Sequence, residues 1–109
     1  VTAQFTAIHG EHEARMMVLE LLSQAAERVG LSIRKVMSDE RAAPYVQARH
    51  WAMYEAFHRG CTEPQIGRVL DLDASTVHHG VKAETDRRLV AEKRLGIPVF
   101  RSIRAIPCP

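Results

Sequence analysis

Residues 61–82, CTEPQIGRVLDLDASTVHHGVK, permit little besides two helices meeting at a tight turn. Thr62 can cap the first helix, and Gln65 three residues on completes a capping box. Pro64 fits in a first helical turn, where a missing N–H costs nothing. Ile66, Val69 and Leu70 then make an apolar face. Asp71-Leu72-Asp73 interrupts the pattern, and Asp73 can cap the next helix. Val77 and Val81 point inward at i, i+4, while Ser75, His79, Lys82 and Asp86 share another face. Gly67 belongs where the two helices come closest, since a side chain there would push them apart. This is the pattern of a helix-turn-helix, a motif whose second helix can enter the DNA major groove.

The rest of the chain reads as more helix. Residues 1–10 form a flexible lead-in. From about Glu11 to Val29, Met16, Leu19, Leu22, Ala26 and Val29 recur at helical spacing, with acidic residues in the first turn as the helix dipole favours. Gly30 sits where a C-terminal cap belongs. Residues 31–37 make a short second helix capped by Ser32, with Ile33 and Val36 inward, and 38–43 a charged connection. Pro44 starts a helix to about Arg59, with Val46, Trp51, Tyr54 and Phe57 available for the core and Gly60 ending it. A short helix over 63–70 and a long one from about Ala74 to Leu95 follow, closed by Gly96 and Pro98. The expected architecture is all-α, five or six helices around one core, with the helix-turn-helix at about 62–95 inside a helical domain over 11–95. Trp51 and Phe57 are expected in that core. Residues 96–109 carry no helical register and read as a tail or linker. Strand patterns, internal repeats and low-complexity tracts are not found.

At 109 residues, the chain is expected to form one domain with a real core. Its net charge is only +2, but residues 1–27 hold one basic and four acidic residues, leaving 14 basic and nine acidic in 28–109. The positive charge therefore lies with the helix-turn-helix and its flanks, as phosphate binding requires, although an ordinary solvated surface has the same composition. Cys61 and Cys108 are far apart and in no ligand spacing, so neither a disulfide framework nor a zinc site is indicated and a reducing cytosol is the default. The sequence has no apolar run of membrane-spanning length and no signal-peptide pattern. A first residue of Val and a Pro-containing end suit a piece of a longer protein.

Catalytic and metal chemistry find little support. His78 and His79 are adjacent on a helix and point about 100° apart, unlike an i, i+4 chelating pair. His79 is better placed as a groove-facing side chain and His78 as a packed or solvated one. His9 and His12 read as surface histidines. Gly67 and Gly80 stand alone inside helices and make no phosphate loop, and no nucleophile motif or carboxylate constellation occurs, so no catalytic residue, metal or cofactor is assigned. Ser75 and Thr76 either stabilise the helix start or contact a phosphate or a thymine methyl, and the preceding helix and turn favour DNA. Lys82, further along the same face, suits a phosphate. Arg87 and Arg88 lie beyond the groove and read as solvated.

The segment QARHWAMYEAFHRGCTEPQIGRVLDLDASTVHHGVKAE resembles the C-terminal DNA-binding domain of the bacterial replication initiator DnaA. Arg49 stands at that family's lead-in arginine and Ala52-Met53 at its Ala-Met pair. Glu63-Pro64-Gln65-Ile66-Gly67 stands at its scaffold helix, and Asp73-Ala74-Ser75-Thr76-Val77-His78-His79 at its recognition signature, with His79 at the signature's second histidine. The similarity covers roughly residues 15–90 and implies a Trp-repressor-like helical fold. It also implies that Arg49 enters a minor groove, that Asp73, Ser75, Thr76 and His79 face the major groove, and that Lys82 holds the backbone. The loop before Pro44 would touch phosphate through Arg34, Lys35 or Arg41. Three departures stand out. Leu72 replaces an arginine, Ala74 replaces the first signature histidine, and the usually basic loop contains Asp39 and Glu40. Each lost base contact costs about 1–3 kcal/mol of discrimination, so poor reading of the initiator's own box is expected.

The resemblance implies sequence-specific binding of double-stranded DNA by a cytoplasmic, nucleoid-associated transcription regulator of bacterial or phage origin. Activators of gene-transfer-agent genes are similar to such reused initiator-like domains. RNA polymerase or another transcription factor is the protein partner such a regulator would need; no membrane partner is expected, and the oligomeric state stays open. Two alternatives stand beside this reading. One is a replication or origin-binding factor. The other is a protein-interaction module that has lost DNA binding, with the acidic first helix and the apolar tail as its partner surface.

Overall fold

The computed structural model describes residues 8–96, and every regular element in them is an α-helix. α1 spans Glu11–Val29, α2 Ile33–Val36, α3 Ala43–His58, α4 Glu63–Leu70 and α5 Ala74–Leu95. α3 is central and packs on all four others. No helix among the described residues is long and apolar enough to cross a membrane. The expected tail and residues 1–7 of the lead-in lie outside the described part.

Small side chains set the packing. On α1 the inward positions are Ala14, Val18, Leu21, Leu22, Ala25 and Ala26. The stripe expected from the larger residues is thus rotated: Met16 is 53% exposed and Val29 60%, while Leu22 and Ala26 keep their places. α3 repeats the lesson, with Ala48, Ala52 and Ala56 buried at i, i+4, i+8 beside Met53 and Tyr54. Alanines on both helices let their backbones approach, which places bulkier residues at the flanks. Phe57, expected in the core, is therefore 39% exposed, and Trp51 is only partly buried, with the Arg28 guanidinium 5.0 Å from its ring centroid. Ile33 is also exposed rather than inward, and Ser32 sits at the N-cap of α2 without a side-chain capping bond.

Residues 8–10 lie against the turn between α3 and α4. His9 Nε2 lies 2.8 Å from the Arg59 carbonyl oxygen, and the His9 carbonyl accepts from Gln65 Nε2 at 2.8 Å. Glu11 pairs with Arg68 on α4. The chain is thereby tied to the α3–α4 turn before α1 begins.

A second polar feature lies between α3 and α5. Arg88, with 14% of its side chain exposed, donates to Glu55 at 2.8 Å and to Glu84 at 3.0 Å. Its guanidinium carbon lies 3.9 Å from the centre of the Tyr54 ring. Arg87 bonds Glu84 and His50. These arginines are not simply solvated, as their sequence position suggested; they stitch α5 to α3.

Candidate nucleic-acid interface

The capping signals over 61–82 produce the helix ends they predict. Gln65 N donates to Thr62 Oγ1 at 3.2 Å, and Thr62 N to Gln65 Oε1 at 2.9 Å, so both halves of the capping box form. Ile66 and Leu70 are buried and Val69 partly so. α4 ends at Asp71, whose φ of 59° puts it in the left-handed region that Asp tolerates better than most residues. Leu72 N then donates back to the Gly67 carbonyl at 2.8 Å. A Cβ at Gly67 would run into the Leu72 carbonyl oxygen, so glycine is needed there by the turn itself, with Val77 of α5 as a farther neighbour.

Asp73 opens α5, accepting from Thr76 N at 2.8 Å and from Ser75 Oγ at 3.0 Å. The bonds from Thr76, then from Ser75, hold its carboxyl below the usual aspartate range. Val77 and Val81 are buried against the core. With that face fixed, Ser75, Thr76, His79 and Lys82 are all exposed. Lys82 Nζ is 3.7 Å from Asp86, an exposed pairing one turn along that leaves the amine open to exchange partners. Ser75, His79 and Lys82 fall on one stripe and Thr76 beside it, over two turns that start at the positive end of a 22-residue helix.

Glu63 and His78 form a contact absent from the sequence reading. His78 Nδ1 lies 2.9 Å from Glu63 Oε2 and links the start of α4 to α5. The charge complement at i, i+15 offered no local periodicity by which to find it.

The other expected contacts sit elsewhere. Arg49 faces α2 and its loop: Nη1 donates to the carbonyls of Val36 and Ser38, each at 3.0 Å, and Nη2 to that of Glu40. Burial pulls its pKa down while Asp39 and Glu40 oppose the shift. In this conformation it clamps the loop over 37–42. Arg34, Lys35 and Arg41 are exposed on α2 and that loop. No hydrogen bond or ion pair among the described residues joins them to the first turns of α5, so the structure makes two separate exposed groups rather than one cluster.

No family, characterised protein or solved structure matches this chain. Its functional reading therefore rests on its own residues. Among the described residues, no group of three His, Cys, Asp or Glu side chains is placed to hold a metal ion. Cys61 is buried, its Sγ 3.7 Å from Met17 Sδ, and burial raises its thiol pKa, away from reactive thiolate character.

Proposed function

We propose that this chain is a sequence-specific double-stranded DNA-binding domain of a transcription regulator, acting through a helix-turn-helix of α4 and α5. The observation that supports it best is the paired condition of α5's first turns. Val77 and Val81 are buried against the core, while Ser75, Thr76, His79 and Lys82 stay exposed on the outer side. Helix-turn-helix proteins present base-reading side chains from that end of the second helix. Short hydroxyls can meet a phosphate or a thymine methyl, His79 can bond a base edge, and Lys82 can neutralise a phosphate. The chain's small net charge suits a binder that depends on a few placed contacts more than on bulk attraction.

Selection of bound duplexes from a random pool, followed by titration at two salt concentrations, tests this. A defined site should emerge. Lys82→Ala should weaken binding on all duplexes and lower the salt slope by about one. Thr76→Ala and His79→Ala should relax specificity at named positions, each by about 1–3 kcal/mol. Failure to enrich any sequence, with equal affinity in wild type and all three variants, would overturn the proposal.

A further inference from the structure

A groove of about 710 Å³ opens between the C-terminal end of α1, the N-terminal half of α3 and the C-terminal half of α5. That is the size of a small-molecule pocket, and its lining is of two kinds. Ala25, Ala43, Ala48 and Ala91 contribute only methyl groups, and the partly buried Trp51 adds an aromatic ring. The polar lining is Arg28, Gln47, Glu84, Arg87 and Arg88, and its pairing is uneven. Arg88 is bound to Glu55 and Glu84, and Glu84 also receives from Arg87, so the one carboxylate in the lining is answered twice. Arg28 is exposed, its guanidinium 5.0 Å from the Trp51 ring centroid, and it makes no hydrogen bond or ion pair among the described residues. Arg87, with 38% of its side chain exposed, donates through Nε and Nη2 to Glu84 and His50, and its Nη1 has no partner among the described residues. Three arginines against Glu84 and Glu55 leave one positive charge in excess. α3 begins at the same rim. Its N-cap, Ala42, supplies no side-chain bond, so the positive end of that helix adds to the arginines.

We propose that this groove binds a small organic carboxylate with a flat apolar body. The excess charge selects a monoanion. A planar guanidinium meets a carboxylate in a two-bond fork, and Arg28 and Arg87 both have donors to give. A flat ring can rest on the alanine methyls and against the Trp51 indole, gaining apolar burial that an inorganic anion would forgo. A neutral apolar molecule would cover the same two arginines without answering them, which costs desolvation. The ligand would touch α1, α3 and α5 together and so stabilise the fold by mass action. The groove lies about 24 Å along α5 from Ser75, and its occupation does not depend on DNA binding.

The probe is naphthoate, titrated into the full chain beside naphthamide, its neutral isostere. Trp51 is the sole tryptophan and lines the groove, so a nitrogen–proton NMR correlation spectrum holds one indole signal, and its shift reports occupancy of the groove itself. Naphthoate should move that signal along a single-site curve with a Kd of about 0.1–1 mM and raise Tm. Naphthamide should bind about tenfold more weakly or worse, and Arg28→Gln and Arg87→Gln should each raise the naphthoate Kd by about tenfold, the loss of one charged hydrogen-bonding partner. Ala91→Phe, which puts a ring where the ligand's would lie, should abolish the shift. Arg15→Gln makes the same charge change about 20 Å away along α1 and should leave the Kd unchanged. Circular dichroism checks that each variant is folded. Arg87 also holds α5 to α3, so should Arg87→Gln unfold, the exposed Arg28→Gln decides alone. No shift of the indole signal even at millimolar naphthoate would overturn the proposal. So would equal affinity for naphthamide, or a folded Arg28→Gln chain that binds naphthoate as tightly as Arg15→Gln does.

Discussion

Substituting Gly67 by alanine tests the turn between α4 and α5 at its tightest point. The new Cβ would collide with the Leu72 carbonyl oxygen and lie 3.3 Å from the Leu72 carbonyl carbon. The obstacle is backbone, and it is held on several sides. Leu72 N donates to the Gly67 carbonyl at 2.8 Å, Asp71 fixes the left-handed step before it, and Asp73 caps α5 just after it. Removing a glycine from a helix interior favours the fold by about 1 kcal/mol. Overpacking costs about 1–3 kcal/mol, and the upper end applies where a carbonyl rather than a side chain must move. The expected balance is a loss of about 2 kcal/mol, equivalent to a fall in Tm of roughly 8–16 °C for a domain of this size. Gly80→Ala is the matched control. Its Cβ would meet Met53 Sδ, the far end of a flexible side chain, with His50 Cδ2 at 3.0 Å. Its change should stay within about 1 kcal/mol, because the propensity gain offsets the repacking. Thermal and urea unfolding followed by circular dichroism give both values. A Gly67→Ala protein as stable as wild type would refute the close helix–turn packing.

Three further outcomes are expected. Arg88→Met should cost about 3 kcal/mol in urea unfolding, the lower end for a broken buried pair, because Glu55 and Glu84 keep Arg59 and Arg87 as partners; an unchanged midpoint would show that the α3–α5 stitch is dispensable. Tyr54 Oη is buried with no hydrogen-bond partner among the described residues, so Tyr54→Phe should leave stability unchanged or raise it by up to about 1 kcal/mol, and a clear loss in the same assay would mean the hydroxyl is satisfied. Burial, then Arg87, holds His50 below its usual pKa, and burial, then Arg88, does so for His58. The unfolded chain therefore binds these protons more readily, so stability should be full above about pH 6.5 and decline as pH falls toward the folded values. His50→Gln should flatten Tm against pH across that window, and an unaltered slope would count against the assignment.

What was legible in the sequence was local. Thr62 with Gln65, Pro64, Asp73 and Gly96 each act within four residues, and the helix ends fall where these side chains place them. The pattern predicts α1 and α3 but not their inward faces, for a common reason. Side-chain size is a poor guide to burial here, because Ala14, Ala25, Ala48, Ala52 and Ala56 occupy the seams, where closely packed backbones leave room for little else. Trp51 and Phe57 are displaced outward by the same closeness. The contacts that local pattern does not reveal are long-range: Glu55 with Arg88, His78 with Glu63, and His9 with Arg59 and Gln65. Nothing in a helical period links residues 33 or 50 positions apart. Of the candidate interface, the exposed face of α5 followed from the buried valines, while the clamp made by Arg49 depended on how the loop over 37–42 folds back on α3.

That clamp has a consequence for how the domain could meet a ligand. The Arg49 guanidinium is already committed to the carbonyls of Val36, Ser38 and Glu40. Were it to swing into a minor groove, each surrendered bond would forfeit about 1.5–3 kcal/mol, and the loop carrying Arg41 would lose its anchor at the same moment. Engagement at that residue would then be an exchange reaction, one set of oxygens traded for another, with apparent affinity reduced by the rarity of the released state. Hydrogen exchange at the amides of residues 37–42 would accelerate on binding, so the loop would announce an event taking place at a different helix.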